Sequence, residues 1–180
     1  MKKTILGLTL LLALSTVGFA QQASSFNITE RMIADAQKAW CGALVRIGES
    51  KTKGEDYQKV ASDVIDAAYY YQAGPVLFKP TLTTGEQTFR MDKEGALAYF
   101  VGGNEKYKND NGFALKGWTR CESKPRGFIL NGDLALSMGN VYLWNAKGEE
   151  TVVDKTWGYK MDENGHLKIV LHHSSLPYKP

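Results

Sequence analysis

The chain has 180 residues, 22 Lys and Arg against 19 Asp and Glu, and 43% apolar residues. That balance excludes a disordered or fibrous protein and suits one globular domain. The formal charge is +3, but Lys2 and Lys3 belong to a leader, and without them 20 bases face 19 acids. Charges of both signs alternate, as in Glu49-Ser50-Lys51 and Asp92-Lys93-Glu94. No one-signed face is available for a nucleic acid.

Lys2 and Lys3 precede an apolar run from Thr4 to Leu14, and small Gly18 and Ala20 stand just before Gln21. This is the pattern of a secretory signal over 1–20, cleaved to leave a single domain over 21–180 in the periplasm or outside the cell. The run is shorter than the roughly 20 residues a membrane span needs, so no membrane association is expected after cleavage. Gln21 to Ser25 reads as a loose leader.

From Thr29, a helix N-cap residue, apolar side chains fall at Ile33, Ala36, Trp40, Leu44 and Ile47, and Gly48 ends the pattern. A second helix after Gly54 carries Val60, Val64, Ala67 and Tyr71 and stops at Gly74-Pro75. Val76 to Phe78 and Gln87 to Met91 read as short strands. Asp92 caps a third helix through Ala96, Leu97 and Phe100, closed by Gly102-Gly103. From Gly117 onward the period becomes that of strands, with a hairpin signal at Asn131-Gly132 and turns at Ala146–Gly148 and Asp162–Gly165. Helices at the front and an antiparallel meander behind define an α+β class, expected as a curved, cone-shaped sheet wrapped around the first long helix with one end open.

Cys41 and Cys121 are the only cysteines, and a disulfide and two buried thiols are both compatible with the sequence. The last strand holds His172-His173-Ser174-Ser175. Strict alternation puts His173 and Ser175 on one face with Ile169 and Leu171, and His172 and Ser174 on the other with Lys168. If the apolar face is the concave one, His173 and Ser175 enter the pocket; the other register brings in His172 and Ser174 instead. Adjacent strand histidines diverge and His166 sits in a turn, so a three-histidine metal site is not expected. Phosphate-cradling and nucleophile-elbow patterns are missing from the sequence. Tyr69-Tyr70-Tyr71 and Pro75 to Thr81 are candidates for the pocket mouth, with Thr81 and Tyr99 supplying hydroxyls to a small polar ligand.

The runs Gly74–Thr81, Ala96–Gly103, Gly112–Leu115, Met138–Asn140 and Leu171–Tyr178, in that order, resemble those of the iota-class carbonic anhydrases. The resemblance spans the chain from the Trp40 helix to Tyr178. It implies a fold like nuclear transport factor 2 and the calmodulin-dependent kinase association domain, and an enzyme that interconverts carbon dioxide and bicarbonate. Members are described as metal-free or as using zinc or manganese; the divergent histidines favour the metal-free version, with no cofactor. Carried over by motif, Thr81 and Tyr99 meet a histidine and a serine of the final run. The expected catalytic set is Thr81, Tyr99, His173 and Ser175, with His173 as base, and Tyr71, His172 and Ser174 contact substrate. An apolar outer sheet face implies a homodimer. A non-catalytic small-molecule binder and an oligomeric scaffold are the alternatives for this fold.

Overall fold

The computed structural model describes residues 27–180; the signal segment and loose leader expected over 1–25 lie outside them. Helix α1 (Glu30–Thr52) starts where expected, with the Thr29 side chain accepting from the Met32 N–H. It runs four residues past Gly48, which is a contact point and not a terminator. A Cβ at Gly48 would stand 2.8 Å from the Ala114 carbonyl oxygen. The buried stripe is Ile33, Gln37, Trp40, Cys41, Leu44, Ile47 and Ser50.

Helix α2 (Tyr57–Ala68) is capped by Asp56 and ends three residues before the expected Tyr71. The reason is Tyr69, whose extended backbone bridges in parallel to Ile169 while the Tyr70 N–H donates to the Ile169 carbonyl. Leaving the helix there turns the Tyr69 side chain into the core, where it is 1% exposed. Helix α3 (Lys93–Val101) begins at the expected Asp92 cap. The strand expected over Gln87 to Met91 is instead a 3-10 turn at Gly85–Gln87 followed by irregular chain held by the Arg90 N–H on the Phe78 carbonyl.

The sheet has five strands, β1 (Leu77–Lys79), β2 (Trp118–Asn131), β3 (Leu134–Asn145), β4 (Glu150–Met161) and β5 (Leu167–Ser175), in the order β1-β5-β4-β3-β2. β2 to β5 form the expected antiparallel meander, whereas β1 adds to its edge in parallel with β5. The inner face carries Ala135, Val141, Leu143, Val153, Trp157 and Tyr159 against the helices. This is the α+β architecture expected from the sequence. Cys41 on α1 and Cys121 on β2, 80 positions apart, form a disulfide. Closing a loop of that length stabilises the fold by about 4.5 kcal/mol through the unfolded chain's lost entropy. Among the described residues no helix is long and apolar enough to cross a membrane.

One irregularity decides which side chains of β5 face inward. Gly158 pairs with Leu171 but the next residue of β4, Tyr159, pairs with Ile169, so Val170 is an extra residue on β5. This β-bulge shifts the alternation by one step. Ile169 is buried before it, and His172 and Ser174 are buried after it. Gly158 makes the bulge possible, since a Cβ there would lie 2.7 Å from the Leu171 Cβ.

Candidate active site

The bulge corrects the favoured register of the last strand. His173 is exposed on the outer face and Ser175 is half-exposed beside it, while His172 and Ser174, each 1% exposed, point into the cone. Both outward residues line an outer cleft of about 490 Å³ with Arg126, Asn140, Asp154 and Thr156. They are therefore on the wrong side of the sheet to meet Thr81 and Tyr99.

Thr81 lies two residues past the end of β1, and its hydroxyl is 2.6 Å from the Ser174 hydroxyl. β1 and β5 are parallel neighbours, with Phe78 opposite His172. That pairing carries the segment after β1 along the end of β5 and delivers Thr81 to Ser174. Lys79 fixes the same corner by donating to the Ser174 carbonyl at 2.9 Å. Tyr99, on α3, has a buried hydroxyl with no hydrogen-bond partner. Burial pushes this phenol well above its ordinary value, opposed by the neighbouring Thr81 hydroxyl and the Thr81 and Leu82 backbone. A buried hydroxyl without a partner costs about 1–3 kcal/mol, and it is relieved when a ligand oxygen or water takes the open position.

His172 stands behind these hydroxyls in an aromatic box. Its ring stacks between Trp157, 4.2 Å away between centroids, and Phe78 at 4.5 Å, with Trp40 edge-on at 5.5 Å. Nδ1 lies 2.8 Å from the Tyr69 hydroxyl, and Nε2 lies 2.5 Å from Lys155 Nζ. The Trp40 indole N–H also donates to the Tyr69 oxygen at 3.0 Å. Burial pushes the His172 pKa well below 6.5, and any positive charge on the neighbouring Lys155 or His173 acts in the same direction. The imidazole is neutral at physiological pH.

The direction of this chain follows from counting donors. Trp40 can only donate, so the one acceptor within reach of the Tyr69 O–H is His172 Nδ1. An accepting Nδ1 leaves the imidazole proton on Nε2, which then donates to Lys155 Nζ. An amine that accepts is unprotonated. The alternative, an ammonium donating to Nε2, leaves the Tyr69 O–H orphaned in a fully buried position. Burial acts the same way on Lys155, holding its pKa well below 10.5 with the nearby Lys79 charge assisting.

Tyr71, expected at the mouth, spends its hydroxyl on the Arg90 carbonyl at 2.8 Å and stacks on Tyr69. It supports the segment after β1 and does not join the Thr81, Ser174 and Tyr99 hydroxyls. That segment is anchored by Arg90, buried and paired in a two-pronged contact with Asp110 at 2.8 and 3.1 Å, its guanidinium over the Tyr107 ring.

Three participants escaped the sequence reading: Tyr69 as a hydrogen-bond relay, the Trp40 indole N–H, and Lys155. Lys155 left a signal, because it falls in phase with Val153, Trp157, Tyr159 and Met161 on β4, a lysine in an apolar row. The residues do not fit a metal. Both His172 nitrogens are committed, both cysteines are bonded to each other, and a basic Lys155 occupies the place beside the imidazole where a cation would sit.

Residues 31–176 match the family model described as metal-independent carbonic anhydrase. The chain is 49% identical over 154 residues to the protein of Nostoc sp. (strain PCC 7120 / SAG 25.82 / UTEX 2576) named metal-independent carbonic anhydrase, covering 84% of this chain and 75% of the relative. Among solved structures it is similar to the iota-carbonic anhydrase from a cyanobacterium complexed with bicarbonate, with a TM-score of 0.84, 46% identity, and coverage of 86% of this chain and 95% of that one. A putative calcium/calmodulin-dependent protein kinase II association domain from Xanthomonas campestris shares the fold alone, with a TM-score of 0.53 at 20% identity over 83% of this chain and 89% of the other. The chain belongs to the metal-independent carbonic anhydrase family.

Proposed function

We propose that this protein hydrates carbon dioxide reversibly to bicarbonate without a metal, with Thr81, Ser174 and Tyr99 holding the reacting water and the developing anion. The observation that carries this reading is the Thr81–Ser174 hydroxyl pair beside the unpartnered Tyr99 hydroxyl. Bicarbonate bound to the similar cyanobacterial enzyme supports the substrate. Three neutral hydroxyls can accept from a water, orient its lone pair and donate to a carbon dioxide oxygen as it gains charge. Phe78, Phe100 and Phe113 stand around Tyr99 and suit an apolar, linear substrate.

A zinc ion would lower the pKa of bound water from 15.7 to about 7, and hydroxyls have no such leverage, so turnover is modest and rises with pH. The base role foreseen for His173 passes to neither histidine. His172, with both nitrogens engaged, is a positioning residue that holds Lys155 and Tyr69.

Stopped-flow hydration by purified, chelator-treated protein, with elemental analysis of the same sample, tests the reading. Full activity without metal is the expected result. Activity lost to chelation and restored by zinc or manganese overturns the metal-free chemistry, and no activity in either state favours a binding or scaffold protein.

We also propose that the mature protein works in the periplasm or outside the cell as a homodimer joined through the outer sheet face. Exposed Leu77, Ile129, Leu136 and Met138 on that face support a second copy covering it. Light scattering of the purified protein reads a dimer if so, and Met138→Glu shifts it toward monomer; a monomeric wild type at micromolar concentration refutes the arrangement.

A further inference from the structure

We propose that Lys155 is the catalytic base, the group that takes the proton from the water as it attacks carbon dioxide; this rests on the carbonic anhydrase reading above. Lys155 is directly opposite Ser174 in the β4–β5 ladder. Both side chains point to the inner face, so the lysine stem rises beside the hydroxyl that holds Thr81, with Cβ atoms about 5 Å apart. That register brings the lysine stem alongside the hydroxyl site, whereas the imidazole nitrogens are both turned to other partners.

The hydrogen-bond count makes this amine neutral, with a lone pair that the His172 Nε2–H holds in place. The groups around it agree. From β5 it faces His172, from β1 the Lys79 ammonium, from α1 the Trp40 ring and from β4 the Trp157 ring. Among the described residues no carboxylate pairs with Lys155, so nothing on the protein stabilises its charged form as a salt bridge does. The indole faces of Trp40 and Trp157, 4.6 and 5.1 Å from Nζ, receive the positive charge when it forms. A lysine tuned between a penalty from burial and a benefit from ring faces is suited to switch protonation state during turnover.

The step balances without any further reactant. The Nζ lone pair lets go of the His172 Nε2–H, the water oxygen forms a bond to the carbon of carbon dioxide, one C=O electron pair moves onto oxygen, and the water proton goes to the freed lone pair. Carbon dioxide, water and amine become bicarbonate and ammonium. The ammonium can no longer accept from Nε2, so it turns its N–H groups to the new anion. When bicarbonate leaves, the ammonium gives its proton to buffer or entering water and the amine returns to His172. In reverse, the ammonium attracts bicarbonate and protonates the departing hydroxide.

The test uses the intact protein, wild type and Lys155→Met, in stopped-flow hydration across pH, together with a 13C titration of the Lys155 Cε resonance in the wild type. The expected loss of kcat is about 100-fold or more, with the rise of kcat with pH abolished in the variant. In the wild type the Cε resonance titrates below the ordinary lysine range, and its titration coincides with the rise in kcat. A Lys155→Met protein that keeps wild-type kcat, or loses rate while keeping the wild-type pH profile, overturns the proposal. If the variant does not fold, the titration decides: an ammonium throughout the active pH range overturns it. An inactive wild type refutes the carbonic anhydrase reading itself; an active wild type with an indifferent Lys155 refutes only the base.

Discussion

The hydroxyls of Thr81 and Ser174, 93 positions apart, meet at 2.6 Å because β1 lies parallel to β5 and a bulge at Val170 turns Ser174 inward. Ser174→Ala and Thr81→Val should each lower the hydration rate by about 100-fold, the usual cost of removing one donor to a developing anion. Ser175→Ala, on the outer face, should stay within about twofold of wild type, judged from ordinary surface substitutions. Stopped-flow rates on the three variants decide it; a crippled Ser175→Ala beside an active Ser174→Ala would refute the site.

The buried His172 makes folding sensitive to acid. Burial holds the His172 pKa well below its ordinary 6.5, so the unfolded chain binds a proton there that the folded protein refuses. Stability is therefore fully retained above about pH 6.5 and declines as pH falls below it. His172→Gln should flatten that acid limb of the denaturation curve. Guanidinium melts between pH 4 and 8 provide the comparison.

Lys155 has the same sign over a higher window. Its folded pKa lies well below 10.5, so between the two values the unfolded chain holds the extra proton, and stability grows as pH rises toward about 10.5. Lys155→Met removes the penalty of keeping an amine neutral and should raise Tm near pH 7 by about 2–4 °C per kcal/mol recovered. Calorimetry at pH 7 and pH 10 should show the gain shrinking at the higher pH. A gain that is equal at both would contradict a neutral amine.

Arg90 and Asp110 form a pair with side chains 3% and 5% exposed, and Arg90 also holds the segment that carries Thr81 through its backbone contact to Phe78. Breaking one partner leaves the other charge buried. Arg90→Met should destabilise the protein by about 3–5 kcal/mol and lower activity through a displaced Thr81. Chemical denaturation and a parallel rate measurement report both effects; a stable, fully active variant would show that the pair is incidental.

Much of this architecture is legible in the residues. The three-to-four spacing of Ile33, Trp40, Leu44 and Ile47 and the hairpin at Asn131-Gly132 are local signals, and α1 and the meander appear where those signals stand. The parallel docking of β1 and the early end of α2 at Tyr69 depend on Ile169 and its neighbours, 100 positions away, and leave no local trace. The final run illustrates the limit most sharply. Its residues announce a histidine and a serine facing one way, but which pair faces inward rests on Val170 and on the lack of a side chain at Gly158 across the ladder. Lys155 was available to pattern reading in principle, as a base in an apolar row, but its neutrality follows only from knowing which nitrogen it touches.

The Cys41–Cys121 bond makes the fold sensitive to the chemistry of its surroundings. Folded domains hold together by some 5–15 kcal/mol in all, so the share supplied by this one link is a large fraction that exists only where thiols oxidise. Among glutathione and thioredoxin the same polypeptide is a looser object, easier to unthread and easier to digest. Cys41 is the residue after Trp40, so closing the link also pins the turn of helix that holds the indole N–H on Tyr69. Oxidation thus does more than toughen the shell: it sets, at the moment of bonding, the far end of the hydrogen-bond chain that terminates on Lys155.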